Sequence, residues 1–164
     1  MKYWPHWSSH YPILIKVMQQ TSGDVLELGI GMFSTPLLHW MCFDMGRNLV
    51  SYEHVRKYYD MHKHFHKSFH QVNFVENNDW DAIDIDKPWS VAFVDHGHRR
   101  RREETKRLVK NTQFVIIHDT QPEDDRLYGL ANVYPRFKYR FNYTKEKPWT
   151  TVLSNFVNLS EVLK

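Results

Sequence analysis

Short apolar runs alternate along the chain with longer polar or amphipathic stretches. Val25, Leu26 and Leu28, broken only by Glu27, read as a strand buried inside a parallel sheet. Gly29 and Gly31 follow as turn residues. Leu37, Leu38, Met41 and Cys42 then mark the apolar face of a helix, with Ser34 or Thr35 as its cap and Pro36 near its first turn. The same alternation predicts strands at Leu49–Tyr52 (closed by Glu53), around Val72, Phe74 and Val75, at Ser90–Val94 and at Phe114–Ile117. Residues 54–70 read as one helix, and a basic helix opens near Arg99. Residues 124–133 read as a short helix. Residues 137–143 alternate aromatic with polar, as a half-exposed strand does, and residues 149–156 supply a last strand. Ahead of all this, residues 1–22 predict a helical segment packed near the first turn, capped by Ser8 or Ser9, with Pro12 in its first turn.

Composition narrows the class. The 164 residues suffice for one domain (1–164, with its core at 23–157), and 41% apolar content supports a packed interior. Cys42, the sole cysteine, rules out an intrachain disulfide and sits on the apolar side of its helix, where an inert buried thiol is expected. No run of about eighteen apolar residues exists, and Trp4, His6, Trp7 and Tyr11 make the N-terminus too polar for a signal peptide. The expectation is a soluble, cytoplasmic protein with no membrane partner. Net charge is +3 with eleven histidines, a mild excess that does not by itself indicate nucleic-acid binding.

A strand, a glycine turn and a helix N-terminus form a site for a polar small molecule. A dinucleotide would call for a third glycine at position 34, which is Ser. The run Glu27-Leu28-Gly29-Ile30-Gly31 resembles instead the acidic-x-Gly-x-Gly signature of class I S-adenosylmethionine-dependent methyltransferases. The resemblance implies a Rossmann-like α/β/α domain of three layers, with a mostly parallel seven-stranded sheet whose last strand is antiparallel. It also implies that Glu27, Gly29, Gly31, Ser34 and Thr35 hold the amino-acid end of the cofactor. His10, in a Ser9-His10 pair similar to one in compact enzymes of this type, would lie near the same end. Glu53 stands 22 positions after Gly31, where a nucleotide-binding fold places a carboxylate for the ribose hydroxyls. By the same resemblance the loop with Asn78, Asp79 and Trp80 would cup the adenine.

The fourth strand delivers Asp95-His96-Gly97-His98, and the fifth delivers His118-Asp119-Thr120. Asp95 and His96 join the cofactor-binding set. Catechol O-methyltransferase and its relatives look similar here, with an Asp-His pair, an Asp-Asn pair and Mg²⁺ held between them. This sequence keeps Asp95 and Asp119 as ligands for a divalent cation, but has Thr120 for the Asn and His98 for the family's catalytic lysine. Both departures speak against Mg²⁺ dependence. His98 is the first candidate for a general base because an imidazole titrates near neutrality, followed by His118 and Asp119.

Arg99–Arg102, Lys106, Arg107 and Lys110 form a basic run, a solvated helix opening that could also favour an anionic acceptor or nucleic acid. His62 and His66, four apart on the predicted helix, could share a metal, but no carboxylate pair completes the set. The short chain has no lid insertion, so a large acceptor or a homodimer would have to cover the site. Two rivals stand beside the methyltransferase reading: an NAD-dependent oxidoreductase, and a non-catalytic S-adenosylmethionine-binding or scaffolding subunit.

Overall fold

The computed structural model describes residues 5–97 and 100–163. A short 3₁₀ turn at Pro5–Ser8 leads into α1 (Tyr11–Gln19). Then come β1 (Val25–Leu28), α2 (Ser34–Asp44), β2 (Leu49–Glu53), α3 (Arg56–His62), β3 (His70–Phe74), β4 (Trp89–Val94) and α4 (Arg101–Arg107). The chain continues through β5 (Thr112–His118), α5 (Pro122–Tyr128), β6 (Tyr139–Tyr143), β7 (Thr150–Ser154) and α6 (Leu159–Val162). The seven strands form one sheet in the order β3-β2-β1-β4-β5-β7-β6, and β7 runs antiparallel to both of its neighbours. This is the architecture expected of the sequence.

Alternation along each strand builds two cores. Val25, Leu49, Val91, Phe93, Phe114 and Ile116 face one way and pack against Leu14, Met18, Leu38 and Cys42 of α1 and α2. Leu26, Leu28, Ala92, Val94, Val115 and Ile117 face the other way, toward Trp80, Leu108, Tyr128 and Leu130. With both faces covered, β4 is buried from end to end, and its one polar side chain, Ser90, accepts from Arg47 and donates to the Asp24 carbonyl. Full burial of each large apolar side chain contributes about 1.5–3 kcal/mol. Cys42 is fully buried in the first of these cores, and burial pushes its thiol up to about 12, so it stays protonated at neutral pH.

Several local expectations need correction. The helix predicted over 54–70 ends at His62, and the chain turns through Lys67, which bridges to His70 as β3 begins. His62 and His66 therefore do not share a helix face. The His62 imidazole is bonded to the Tyr58 carbonyl and that of His66 to the Val72 N–H, so neither is set up as half of a metal pair. The helix predicted over 124–133 stops at Gly129, whose left-handed φ of +68° closes it, and 3₁₀ turns follow. Ser34 and Thr35 do not cap α2, because they already lie inside its first turn. Neither Ser8 nor Ser9 caps α1, whose N-cap position is His10 with no side-chain cap bond, although Pro12 is in the first turn.

Candidate functional site

Parallel strands deliver their C-terminal ends to one edge of the sheet, and a cleft of about 650 Å³ opens there. Its wall draws on the turn after β1 (Ile30, Gly31, Met32, Phe33), the first residue of α2 (Ser34) and the end of β2 (Glu53, His54). The ends of β4 (Asp95, His96, Gly97) and β5 (His118, Asp119) complete the edge. Trp7 and His10 reach it from the N-terminal segment, Tyr58 from α3 and Arg101 from α4.

Gly29 is where this edge is tightest. Its φ is +98°, and a Cβ there would lie 2.6 Å from the backbone of Asp95 and His96. Only glycine lets the ends of β1 and β4 approach so closely. Beneath the turn, Thr35 Oγ1 accepts the Gly31 N–H at 3.0 Å and donates to Glu27 at 2.9 Å. Glu27 also accepts the Ser51 hydroxyl at 2.6 Å and is fully buried. It does not line the cleft, and it reaches the turn through Thr35. Burial pushes its carboxyl up to about 7 against the opposing hydrogen bonds from Ser51, Ser34 and Thr35.

Glu53 faces the cleft from the end of β2. Its two oxygens accept the N–H groups of Ile30 (3.0 Å) and Val55 (2.6 Å), which fixes the carboxylate in place with acceptor capacity left over. Burial raises its pKa from the ordinary carboxylate value.

His10 presents a different feature. It is 1% exposed, lines the cleft, and neither ring nitrogen has a hydrogen-bond partner among the described residues. Burial, together with the charge of nearby His118, lowers it to about 3, so it is neutral and offers one donor and one acceptor to whatever fills the cleft.

Arg101, assigned by sequence to a solvated run, is only 4% exposed and sits under the floor. Nε donates to the His96 carbonyl (2.6 Å). Nη1 donates to the His118 carbonyl (2.7 Å) and toward Asp119 (3.3 Å), and Nη2 to the Asp95 carbonyl (3.1 Å) and carboxylate (2.7 Å). All five guanidinium N–H groups are thereby used. His118 lies between the same acids, with Nδ1 at 3.3 Å from Asp95 and 3.4 Å from Asp119. Its Nε2 is 3.0 Å from Ser9 Oγ, whose only proton goes to the Pro148 carbonyl at 2.7 Å. Ser9 therefore accepts from Nε2, and Nδ1 lies at ion-pair distance from both carboxylates. The pKa of His118 is raised, since attraction to Asp95 and Asp119 outweighs the burial that would lower it. Burial would raise Asp95, but the charges of His118 and Arg101 hold it at about 2.

No family model matches the sequence, and no curated protein does. Solved structures do share its architecture. An O-methyltransferase from Bacillus cereus in complex with S-adenosylhomocysteine is 15% identical, covers 93% of this chain and 82% of its own, and has a TM-score of 0.60. The O-methyltransferase TomG from Streptomyces achromogenes, in complex with S-adenosylmethionine, gives 13% identity, 95% and 82% coverage and a TM-score of 0.58. Cofactor-bound Rv0187 from MTB gives 12%, 94% and 83%, and 0.67. The fold is that of the class I S-adenosylmethionine-dependent methyltransferases.

Within this methyltransferase fold, the structure brings His10, Gly31, Ser34, Glu53, Asp95, His96, His118 and Asp119 to one cleft. Glu27, Gly29 and Thr35 lie just behind it. Asn78, Asp79 and Trp80 are not part of the wall. Trp80 is 1% exposed in the core, stacked near His96 and donating its indole N–H to Asn78, while Asp79 accepts the Asp81 N–H. His96 donates to or accepts from Glu104 at 2.9 Å, both fully buried side chains. His98 lies outside the described residues. The basic run is largely neutralised in place: Arg100 pairs with Asp81 and Glu104, Arg102 and Lys106 with Glu103, and Arg107 with Asp86. Arg101 is the residue that sequence reasoning missed. Nothing distinguishes it from Arg100 and Arg102 except that a helix starting at 101 turns it inward.

Proposed function

We propose that the protein is an S-adenosylmethionine-dependent methyltransferase acting on an oxygen or nitrogen nucleophile. The observation that carries this reading is the pairing, on one cleft, of the glycine turn after β1 with the anchored Glu53 carboxylate after β2. The unpartnered His10 nitrogens are a second sign that a polar ligand belongs there. Glu53 would accept the sugar hydroxyls, while the turn at 29–31 and His10 would meet the amino-acid end. When bound, the cofactor supplies an activated methyl group on a sulfonium, so the hard chemistry is its own.

The chain's share is binding, orientation and proton handling. Trp7, Met32 and Phe33 line the cleft with apolar surface that a bound acceptor would cover. His118 already gives Nε2 to Ser9 and sets Nδ1 between two carboxylates, so it is read as a positioning group and not as the base. The base role then falls to His98 or Asp119. Asp119 holds a φ of +56°, a left-handed conformation uncommon outside glycine, which aims it at the cleft edge. An anionic acceptor gains little support, because the cations of α4 already have acidic partners.

Incubation with methyl-labelled S-adenosylmethionine and a panel of hydroxyl and amine acceptors tests the reading. Label transfer with release of S-adenosylhomocysteine supports it. Binding without turnover on any acceptor favours the non-catalytic subunit, and NAD binding in place of the sulfonium compound overturns it.

A further inference from the structure

Asp95, His118 and Asp119 offer ligand atoms within 4.8 Å of one another, the arrangement in which a divalent cation is first sought. The surrounding bonds argue otherwise. A cation there would need lone pairs from both carboxylates and from the imidazole, yet Nε2 already donates to Ser9 and Nδ1 lies between the acids at 3.3 and 3.4 Å. The Arg101 guanidinium spans the same two carboxylates, at 2.7 Å from Asp95 and 3.3 Å from Asp119. Three backbone carbonyls and the ring of Tyr128, 4.5 Å below, hold it there. The position that would supply a third oxygen ligand is Thr120, whose hydroxyl oxygen instead accepts from Thr151 at 2.8 Å. Mg²⁺ wants six oxygen ligands in near-octahedral array; this site offers two carboxylates already bridged by a buried guanidinium.

We propose that the Arg101 guanidinium occupies the place of a divalent cation, so that the paired carboxylates are already balanced and the cleft works without metal. Asp95 and Asp119 both face the Arg101 guanidinium, with His118 between them, so the pair is not left open for a cation. Arg101 is a positioning residue here: from the base of the cleft it holds both carboxylates and fixes where they point. The inference does not depend on the identity of the small-molecule ligand, because cation binding is read on the unliganded chain.

The test is titration of the metal-stripped full chain with Mn²⁺ and Mg²⁺, followed by the quenching of free-Mn²⁺ resonance and by calorimetry. The wild-type chain should show no saturable binding up to millimolar metal, and the same melting temperature in chelator and in Mg²⁺. Arg101→Met should gain Mn²⁺ binding, at least tenfold tighter than wild type and lost again in Arg101→Met with Asp95→Asn. Arg101→Lys should remain indifferent to metal. One Mn²⁺ per wild-type chain, removed by Asp95→Asn, overturns the proposal, and so does an Arg101→Met chain that folds but gains no affinity. If Arg101→Met does not fold, the wild-type titration decides.

Discussion

Glu27 shows how a single residue of the signature acts at one remove from the cleft. Its carboxyl is held at about 7 by burial, against an ordinary value near 4.5. A carboxyl whose folded pKa is raised binds more protons folded than unfolded, so its share of stability is greatest below the unfolded value and falls as pH rises through the folded one. The buried histidines His10 and His70, each lowered to about 3, act in the opposite sense: their neutral state favours folding increasingly as pH rises from about 3 toward 6.5. The wild-type profile mixes these effects, so the difference between Glu27→Gln and wild type is the useful quantity. That difference should grow in favour of the variant from pH 4.5 to pH 7 and level off above it, by up to ~3 kcal/mol. Urea denaturation at a series of pH values measures it, and a flat difference across that range would mean the carboxyl titrates normally.

At the scale of elements, the sequence made the strand–turn–helix units legible and the helix limits much less so. Apolar runs such as Val91–Val94 and Phe114–Ile117 can hardly be anything but strands buried on both faces. The stretch 54–70 contains no glycine or proline to break it, so its histidine and aromatic pattern reads as helix throughout. The break is tertiary: Phe69 and His70 are drawn to α2, where His70 meets His39 at 2.9 Å, and that contact starts β3. Arg101 was illegible for a similar reason, since only the start of α4 decides which of three successive arginines points inward. Gly29 carried its signal openly. Gly29→Ala should cost ~3 kcal/mol or more, because both φ and the backbone of β4 oppose a side chain. That corresponds to a fall in melting temperature of roughly 10 °C. Gly46→Ala, at a φ of +63° inside the left-handed region and with nothing within 4 Å, should cost only ~1–2 kcal/mol. Equal losses at the two sites would show that the crossing of β1 and β4 is not tight.

For the whole molecule, the sheet order places four strand ends and the N-terminal segment around one cleft, and that convergence turns scattered acids and imidazoles into a site. None of the helices among the described residues is long and apolar enough to cross a membrane. The central claim is that the glycine turn and Glu53 together hold S-adenosylmethionine. Isothermal titration of the purified chain with S-adenosylhomocysteine tests it most directly, with wild type and Glu53→Ala run side by side and NAD as the competitor. The account predicts saturable one-to-one binding to wild type, at least tenfold weaker in a folded Glu53→Ala chain, and no heat with NAD. Absence of heat with the wild-type chain, or equal affinity in the two chains, would contradict it.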